Sequence, residues 1–457
     1  MPRPTTVFVC SACAHEAPGW LGRCPGCGEW NTLAEEARAA AAPARRTAAT
    51  GRAVRPVRLA DVEAVRVARL RTGIGELDRV LGGGLVPGSI VLLGGSPGIG
   101  KSTLTSMALG NLAGAGRRTL YVSGEESAAQ IKLRAERLPG AALSVPVLAE
   151  TDLDTVIATL DAERPEVCVV DSVQTLHAGD LTGAAGSVGQ VREVADRITR
   201  LAKARDIAVL LVGHVTKEGA LAGPRVLEHL VDCVLQFEGE RERTYRTVRA
   251  LKNRFGSTSE AGVFEMRQGG LVEVQDASAR FVGEATRAPG SVVLAAMEGS
   301  RPLLVEVQAL VSPSELVPPR RIANGIDRNR LALVLAVLAR HAGVSVGSAD
   351  VFVNVAGGVR VDEPGADLAV ALAVASAARG VVAGEPERPV ACFGEVGLTG
   401  ELRSVAHPER RLAEAVKFGL SPVIAPEGAG RVATEAPTLR AALRAALRQQ
   451  TPRSAAA

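Results

Sequence analysis

The segment SIVLLGGSPGIGKS (89–102) carries the reading on which the fold turns. Its first half is a run of apolar residues of the kind that forms a strand buried on both faces. Its second half, Gly95, Ser96, Pro97, Gly98, Ile99, Gly100, Lys101 and Ser102, fits the phosphate-loop pattern G-x-x-x-x-G-K-[ST]. STLTSMALGNLA follows and is compatible with a helix, so strand, loop and helix stand in the order the motif requires. Glycines let successive backbone N–H groups wrap phosphate oxygens, and the N-terminus of the next helix adds a field favourable to anions. Lys101 then neutralises β/γ charge, Ser102 offers a hydroxyl to magnesium, and Thr103 continues the turn. The expected ligand is Mg2+-ATP.

Further apolar runs lie on either side at helix-length intervals: TLYVSG (119–124), VCVVDS (167–172), AVLLVGH (208–214) and CVLQFEG (233–239). The pattern predicts a mostly parallel sheet between helices, whereas TYRTVRALKNRFG and GVFEMRQGGLVEV lack spacers and predict antiparallel hairpins at its edge. Asp171 at the end of VCVVDS is the expected magnesium-side carboxylate. Ser172, not Glu, follows it, so the acid that orients water is sought on another strand end: Glu125, with Glu126 as the competing choice. His214 ends a neighbouring strand, where a polar side chain can sense the γ-phosphate. Lys217 begins a Gly-containing loop suited to touching DNA.

Near the start, Cys10-x2-Cys13-x10-Cys24-x2-Cys27 offers two thiolate pairs spaced to grip one tetrahedral zinc. Little else is apolar there. Phe8, Trp20, Leu21 and Trp30 are the expected core, and the metal supplies much of the folding energy. Cys168, Cys233 and Cys392 stand alone in apolar runs and are expected to be buried thiols.

The 457-residue chain has 47% hydrophobic but only 3% aromatic residues, so its cores must be built from Ala, Val, Leu and Ile, as in α/β layers. A net charge of +4 is small for this length, so any affinity for nucleic acid must come from local clusters. No apolar run reaches the ~20 residues of a membrane helix, and no signal-peptide pattern opens the chain. A cytoplasmic protein without a membrane partner is expected. The expected domains are a zinc finger (1–34), a linker (35–57), an ATPase domain (58–285), a second α/β domain (286–450) and a frayed tail (451–457).

Four pieces together resemble the bacterial RadA (Sms) family of DNA repair proteins: the four-cysteine module, RTGIGELDRVLGGGLVPGS (71–89), KNRFG (252–256) and a C-terminal α/β domain similar to the Lon protease domain. The resemblance spans the chain apart from the linker. It implies a RecA-like core, a hexameric ring with ATP between subunits, and branch migration on single-stranded or branched DNA. It also implies a zinc head that contacts a RecA-type recombinase. Lys252 and Arg254 are then either fingers on a neighbour's γ-phosphate or contacts to DNA phosphates, both tasks needing fixed positive charge. Phe255 is expected to pack and Gly256 to free the turn.

In the Lon-like domain, DEPGADL (362–368) corresponds to the segment that holds the nucleophilic serine, and Gly365 stands in its place. Pro408, Glu409, Arg410 and Arg411 occupy the neighbourhood of the lysine, and Lys417 lies beyond it. Hydrolysis by a Ser–Lys pair is therefore not expected. RRIANGIDRNR (320–330) offers Arg320, Arg321, Arg328 and Arg330 to phosphates, and the scarcity of aromatics makes base stacking a minor expectation. Rival readings are a Lon-type protease or remodeller, a KaiC-like signalling ring, and a non-catalytic DNA-binding scaffold.

Overall fold

The computed structural model describes residues 5–10, 15–26, 28–38, 58, 68–181, 183–215, 221–222, 226–239, 245–274, 276–283, 285–385 and 388–447. Two compact units emerge. The first comprises 1–238, 246–258 and 264–273; the second comprises 239–245, 259–263 and 274–457. The chain crosses between the units more than once before it stays in the second from Val274 onward, and the short helix Ala277–Val282 belongs to that unit, where the sequence placed a single junction at 285/286.

In the first unit, β1 (Thr5–Cys10), β2 (Glu16–Ala17) and β3 (Leu33–Arg38) form an antiparallel sheet in the order β2-β1-β3. Residues 35–38, expected to open the linker, instead complete β3 and pair with 5–8. The main sheet uses β4 (Ile90–Gly95), β5 (Thr119–Ser123), β6 (Val147–Ala149), β7 (Val167–Asp171), β8 (Ala208–Val215) and β9 (Leu221–Ala222). It continues with β10 (Cys233–Glu238), β11 (Tyr245–Asn253), β12 (Ala261–Arg267) and β13 (Gly270–Glu273). Their order is β13-β12-β11-β10-β4-β8-β7-β5-β6, with β9 on β8. The pairs among β10, β4, β8, β7, β5 and β6 are parallel, and β10–β11 and β12–β13 are antiparallel, as the apolar runs and missing spacers predicted.

Helices α1 (Gly75–Leu81), α2 (Lys101–Gly114), α3 (Ala128–Ala135), α4 (Leu153–Glu163), α5 (Val188–Arg205) and α6 (Val226–Leu230) accompany the sheet. Two apolar cores result, one around Leu93, Leu104 and Leu210, the other around Leu92, Val170 and Ile198. Successive β4 residues thus serve opposite faces, which is why the whole strand is apolar.

The second unit holds α7 (Ala277–Val282), β14 (Ser291–Glu298), β15 (Arg301–Pro313), β16 (Arg321–Asn324), α8 (Arg328–Ala342), β17 (Ala349–Val355) and α9 (Asp367–Arg379). After them come β18 (Gly384–Glu385), β19 (Arg388–Pro389), β20 (Ala391–Cys392), β21 (Glu395–Val396), β22 (Leu402–Arg403), α10 (Pro408–Lys417), β23 (Val423–Ala425), β24 (Ala433–Glu435) and α11 (Leu439–Ala446). A seven-stranded sheet runs β16-β17-β15-β14-β20-β23-β24. The first ten residues of α9, Asp367 to Ser376, are all buried, which its alanine-rich sequence permits because small side chains allow neighbours close on every side. Among the described residues no helix is long and apolar enough to cross a membrane.

Candidate nucleotide site and metal ribbon

Strand β4 delivers the phosphate loop at its C-terminal end. Gly98 (φ 77°) and Gly100 (φ 114°) adopt the left-handed region, which side chains disfavour and which turns the loop's backbone into a cradle. Gly95 and Gly100 also lack room for a Cβ: the first would meet the Phe237 carbonyl at 2.7 Å, the second Met266 Cε at 2.7 Å. Met266 sits on the β12–β13 hairpin, so an element read from sequence as plain sheet edge braces the loop. Helix α2 starts at Lys101, whose Nζ donates to the Gly95 carbonyl at 2.8 Å and the Ser96 carbonyl at 3.1 Å. Burial lowers the Lys101 pKa from its ordinary value, and the charges of Asp171 and Glu125 oppose part of that shift.

The register of four parallel strands gathers the other candidates. Gly95 faces His214 across β4–β8, Val212 faces Asp171 across β8–β7, and Asp171 faces Ser123 across β7–β5, two residues before Glu125. All lie at the C-terminal ends of the strands, where open α/β sheets bind ligands. The His214 side chain and all of Lys217 lie outside the described residues. Ser102 and Thr103 occupy the first turn of α2 and are partly accessible.

The two neighbouring glutamates differ in what holds them. Glu126 forms an ion pair with Arg134 from α3, and Arg134 also donates to the Tyr121 hydroxyl at 3.1 Å. Tyr121 in turn donates to Asp171 Oδ2 at 2.5 Å. Glu125 is exposed and within electrostatic reach of Lys101. The two acids therefore differ in surroundings: Glu126 is tied into the Tyr121–Arg134 network, and Lys101 feels the charge of Glu125. Tyr121 and Arg134 went unrecognised in the sequence, where both read as ordinary strand and helix residues.

KNRFG lies at the other end of the sheet. Lys252 pairs in register with Val234 and Asn253 with Cys233, which itself faces Val91 at the start of β4. Val91 to Gly95 spans about 13 Å of strand, so these cations do not reach the phosphate loop of their own chain. Lys252 Nζ donates to the carbonyls of Glu228 (2.6 Å) and Val231 (2.8 Å) at the C-terminal end of α6, where a helix favours cations. Arg254 pairs with Asp232 at 3.0 Å, and Asp232 also accepts from the Ile90 N–H at 3.1 Å.

Phe255 does not pack as expected: it is 38% exposed. Gly256 has no positive φ; its Cβ would sit 3.1 Å from Gly82 Cα, so close approach, not turn freedom, excludes a side chain. Asn253 donates to the Val80 carbonyl (3.1 Å) and Arg69 to the Phe255 carbonyl (2.5 Å). The signature stretches 71–89 and 252–256 are thus two sides of one contact.

In the head, the Cys10 N–H donates to the His15 carbonyl (2.9 Å) and the Cys24 N–H to the Glu29 carbonyl (2.8 Å), closing two like-sized loops. The Gly26 N–H points at Cys24 Sγ (3.4 Å), as in a knuckle whose thiolate accepts backbone donors. Cys10 and Cys24 are buried; Cys13 and Cys27 fall inside the same loops but outside the described residues. This donor set fits a tetrahedral thiophilic metal. Trp20 (59% exposed), Leu21 and Trp30 (68% exposed) are not core; Cys10, Ala17, Cys24, Leu33 and Phe8 are. With so small an apolar cluster, a metal carries more of the head's stability.

The second unit uses its charges internally. Arg320 pairs with Asp350 at 3.0 Å, Arg330 with Asp367, and Arg321 caps carbonyls including Val346 at 2.8 Å, while Arg328 is exposed. A Cβ on Gly365 would meet Arg411 Nη1 at 3.1 Å. Arg411 is 1% exposed, forms a two-pronged ion pair with Glu363, and donates to the Ala295 carbonyl at 2.7 Å. Lys417 is tied to Asp276 at 2.8 Å. Cys168, Cys233 and Cys392 are buried thiols; burial raises all three, Cys233 to about 12.

Fold and site together define a RecA-like P-loop ATPase with an N-terminal metal ribbon and a C-terminal α/β domain. Residues 53–220 match the AAA domain model, and residues 8–35 match that of the rubredoxin metal binding domain. The chain is 48% identical over 432 residues to the DNA repair protein RadA of Bacillus subtilis (strain 168), covering 93% of each. It is 49% identical to that of Listeria monocytogenes, covering 93% of this chain and 92% of the relative. Among solved structures, a KaiC-like protein from the archaeon Pyrococcus horikoshii aligns with 46% of this chain and 99% of its own, at 18% identity and a TM-score of 0.38. The chain belongs to the RadA family of DNA repair proteins.

Proposed function

We propose that this protein is a DNA-stimulated ATPase that drives branch migration and translocation on single-stranded or branched DNA during recombination. The observation that supports it most is the placing of the phosphate-loop residues and the KNRFG cations at opposite ends of one sheet. Lys101, Asp171 and Glu125 share the phosphate-loop end, whereas Lys252 and Arg254 lie at the far end. A subunit so built is suited to a ring in which one chain's KNRFG meets the next chain's nucleotide, or DNA, and a hexamer is the form that the family resemblance implies. Magnesium, when bound, would supply positive charge against that developing on the phosphate oxygens. Ser102 and Asp171 would hold it. Glu125 orients the attacking water, Lys101 binds phosphate oxygens, and His214 reports their state to the loop that carries Lys217.

Zinc on Cys10, Cys13, Cys24 and Cys27 makes the head a rigid contact module, for which a RecA-type recombinase is the proposed partner. The cytoplasm is its proposed location. Arg320, Arg321, Arg328 and Arg330 remain the proposed phosphate contacts of the second domain, with Arg320 and Arg328 exposed. That domain is proposed to act as a scaffold, since Gly365 and the Arg411–Glu363 pair stand at the corner where a serine and a lysine would be needed. ATP turnover measured with and without single-stranded DNA, beside a casein-type proteolysis assay, tests the reading. Stimulation by DNA without proteolysis is expected; proteolysis, or turnover indifferent to DNA, overturns it.

A further inference from the structure

Beyond the ends of β5 and β7, the segments that carry Glu125 and Asp171 are joined by a contact outside every motif. Ser123 faces Asp171 across β5–β7, and the Gly124 N–H donates to the Asp171 carbonyl at 2.9 Å, so the two segments leave the sheet together. One runs directly into Glu125, the other through Ser172, Val173 and Gln174 to Thr175. The second turns back at once: the Thr175 N–H and hydroxyl both donate to the Ser172 carbonyl, at 3.3 and 2.8 Å.

That turn lays the Thr175 side chain on Gly124. A Cβ at 124 would overlap the Thr175 hydroxyl oxygen and stand 2.9 Å from the Thr175 Cβ. Gly124 has no positive φ, so its backbone suits any residue and space alone selects glycine. Thr175 thus fills the room of a side chain one position before Glu125.

Thr175 is itself firmly held. Val173, Leu176 and Ala178 are buried in the core that contains Val170 and Ile198. The His177 N–H donates to the Thr151 carbonyl at 2.9 Å, and the His177 carbonyl accepts from the Leu153 N–H at 3.0 Å. The buried Gln190 amide of α5 accepts from the Ala178 N–H at 2.7 Å and donates to the Ala178 and Leu181 carbonyls, both at 3.1 Å. On the other side of Glu125, the Ser123 hydroxyl accepts from the Glu126 N–H at 3.0 Å and donates to its carbonyl at 2.9 Å. Glu125 therefore stands between two anchored neighbours, one of them seated by Thr175.

We propose that Thr175 is a positioning residue for ATP hydrolysis: packed on Gly124 and bonded back to Ser172, it fixes the backbone that carries Glu125 relative to Asp171. The inference rests on the reading of Glu125 as the water-orienting acid. Displacing such a group by about 1 Å can cost on the order of a hundredfold in rate, so a hydroxyl that touches no substrate still bears on turnover. The sequence concealed this, because Gly124 and Thr175 meet only through β5–β7 pairing.

The test compares the full-length parent with Thr175→Val, Thr175→Ser and Gly124→Ala in single-turnover ATP hydrolysis, beside binding of a non-hydrolysable ATP analogue. Thr175→Val keeps the bulk but loses the bond to Ser172; its rate should fall about tenfold with analogue affinity unchanged. Thr175→Ser keeps the hydroxyl and should recover most of the parent rate. Gly124→Ala should also slow hydrolysis, and combined with Thr175→Val should cost no more than the worse single change, because both act at one contact. In a Glu125→Gln background Thr175→Val should cost nothing further. An unchanged rate in Thr175→Val, a matching loss of analogue affinity, or the same loss repeated in the Glu125→Gln background overturns the inference alone. Full turnover by Glu125→Gln overturns the reading of that acid and the inference with it.

Discussion

The Tyr121 hydroxyl donates a 2.5 Å hydrogen bond to Asp171 and accepts one from Arg134, which is also paired with Glu126. One buried phenol therefore links the expected magnesium carboxylate, through Arg134, to Glu126. Burial and the Asp171 charge push the Tyr121 pKa far above its usual value, so it stays a donor. A hydrogen bond to a charged group is worth about 1.5–3 kcal/mol, or roughly a decade or two in an equilibrium constant. Tyr121→Phe should raise the magnesium concentration needed for half-maximal ATP turnover by about tenfold, with magnesium-free nucleotide binding unchanged. An unaltered magnesium titration removes Tyr121 from this role.

The same network separates the two glutamates. Glu125→Gln should lower turnover at least about a hundredfold while nucleotide still binds, as for loss of a water-orienting acid. Glu126→Gln, which keeps a hydrogen-bonding side chain toward Arg134, should cost less than about fivefold. Single-turnover hydrolysis of both variants checks this, and the reverse ranking assigns the chemistry to Glu126.

If Lys252 and Arg254 act on a neighbour's nucleotide, two inactive variants should help each other. Lys101→Ala lacks a working phosphate loop, and Arg254→Ala lacks the far-end cation. Mixed in one assembly, some interfaces would join an intact loop to an intact KNRFG. ATP turnover should then rise above that of either variant alone. No recovery in verified mixed assemblies assigns these cations to DNA instead.

The lowered Lys101 pKa sets a pH dependence whose sign is fixed. The protonated ammonium is the form that binds polyphosphate. Affinity should therefore be flat below the lowered native value and fall as pH rises through it, before the ~10.4 of an ordinary lysine. Bound phosphate raises that value, so binding takes up protons in the same window. Titrating a non-hydrolysable ATP analogue from neutral pH to about pH 10 should show the decline, and Lys101→Arg should flatten it.

Cys24→Ser should reduce bound zinc from about one ion per chain to near zero and unfold the head, because two loops and five small core residues cannot hold it. Metal analysis of the purified variant decides this. Retained zinc refutes the ligand assignment.

What was legible in the sequence followed from local physics. Buried parallel strands read as unbroken Val/Leu runs, so the positions of Lys101, Asp171 and the Glu125/Glu126 pair just beyond their C-terminal ends could be read without coordinates. What escaped depended on register between distant strands. The Tyr121–Asp171 bond needs β5 beside β7, and the partners of Arg320 and Arg330, Asp350 and Asp367, lie 30 and 37 residues away. The basic stretch 320–330 looked like free charge for that reason. Trp20 and Trp30 were assigned to a core on hydrophobicity alone, yet large aromatics are often left at surfaces.

The corner where Gly365 meets Arg411 also limits what this fold can become. A side chain at 365 would crowd a guanidinium that is buried and doubly bonded, at 3.1 Å, while a lysine at 411 would give up the two-pronged grip on Glu363. Either change alone lowers stability before it offers any chemistry. A serine and a lysine at this corner would therefore have to arrive together, with a new partner found for Glu363.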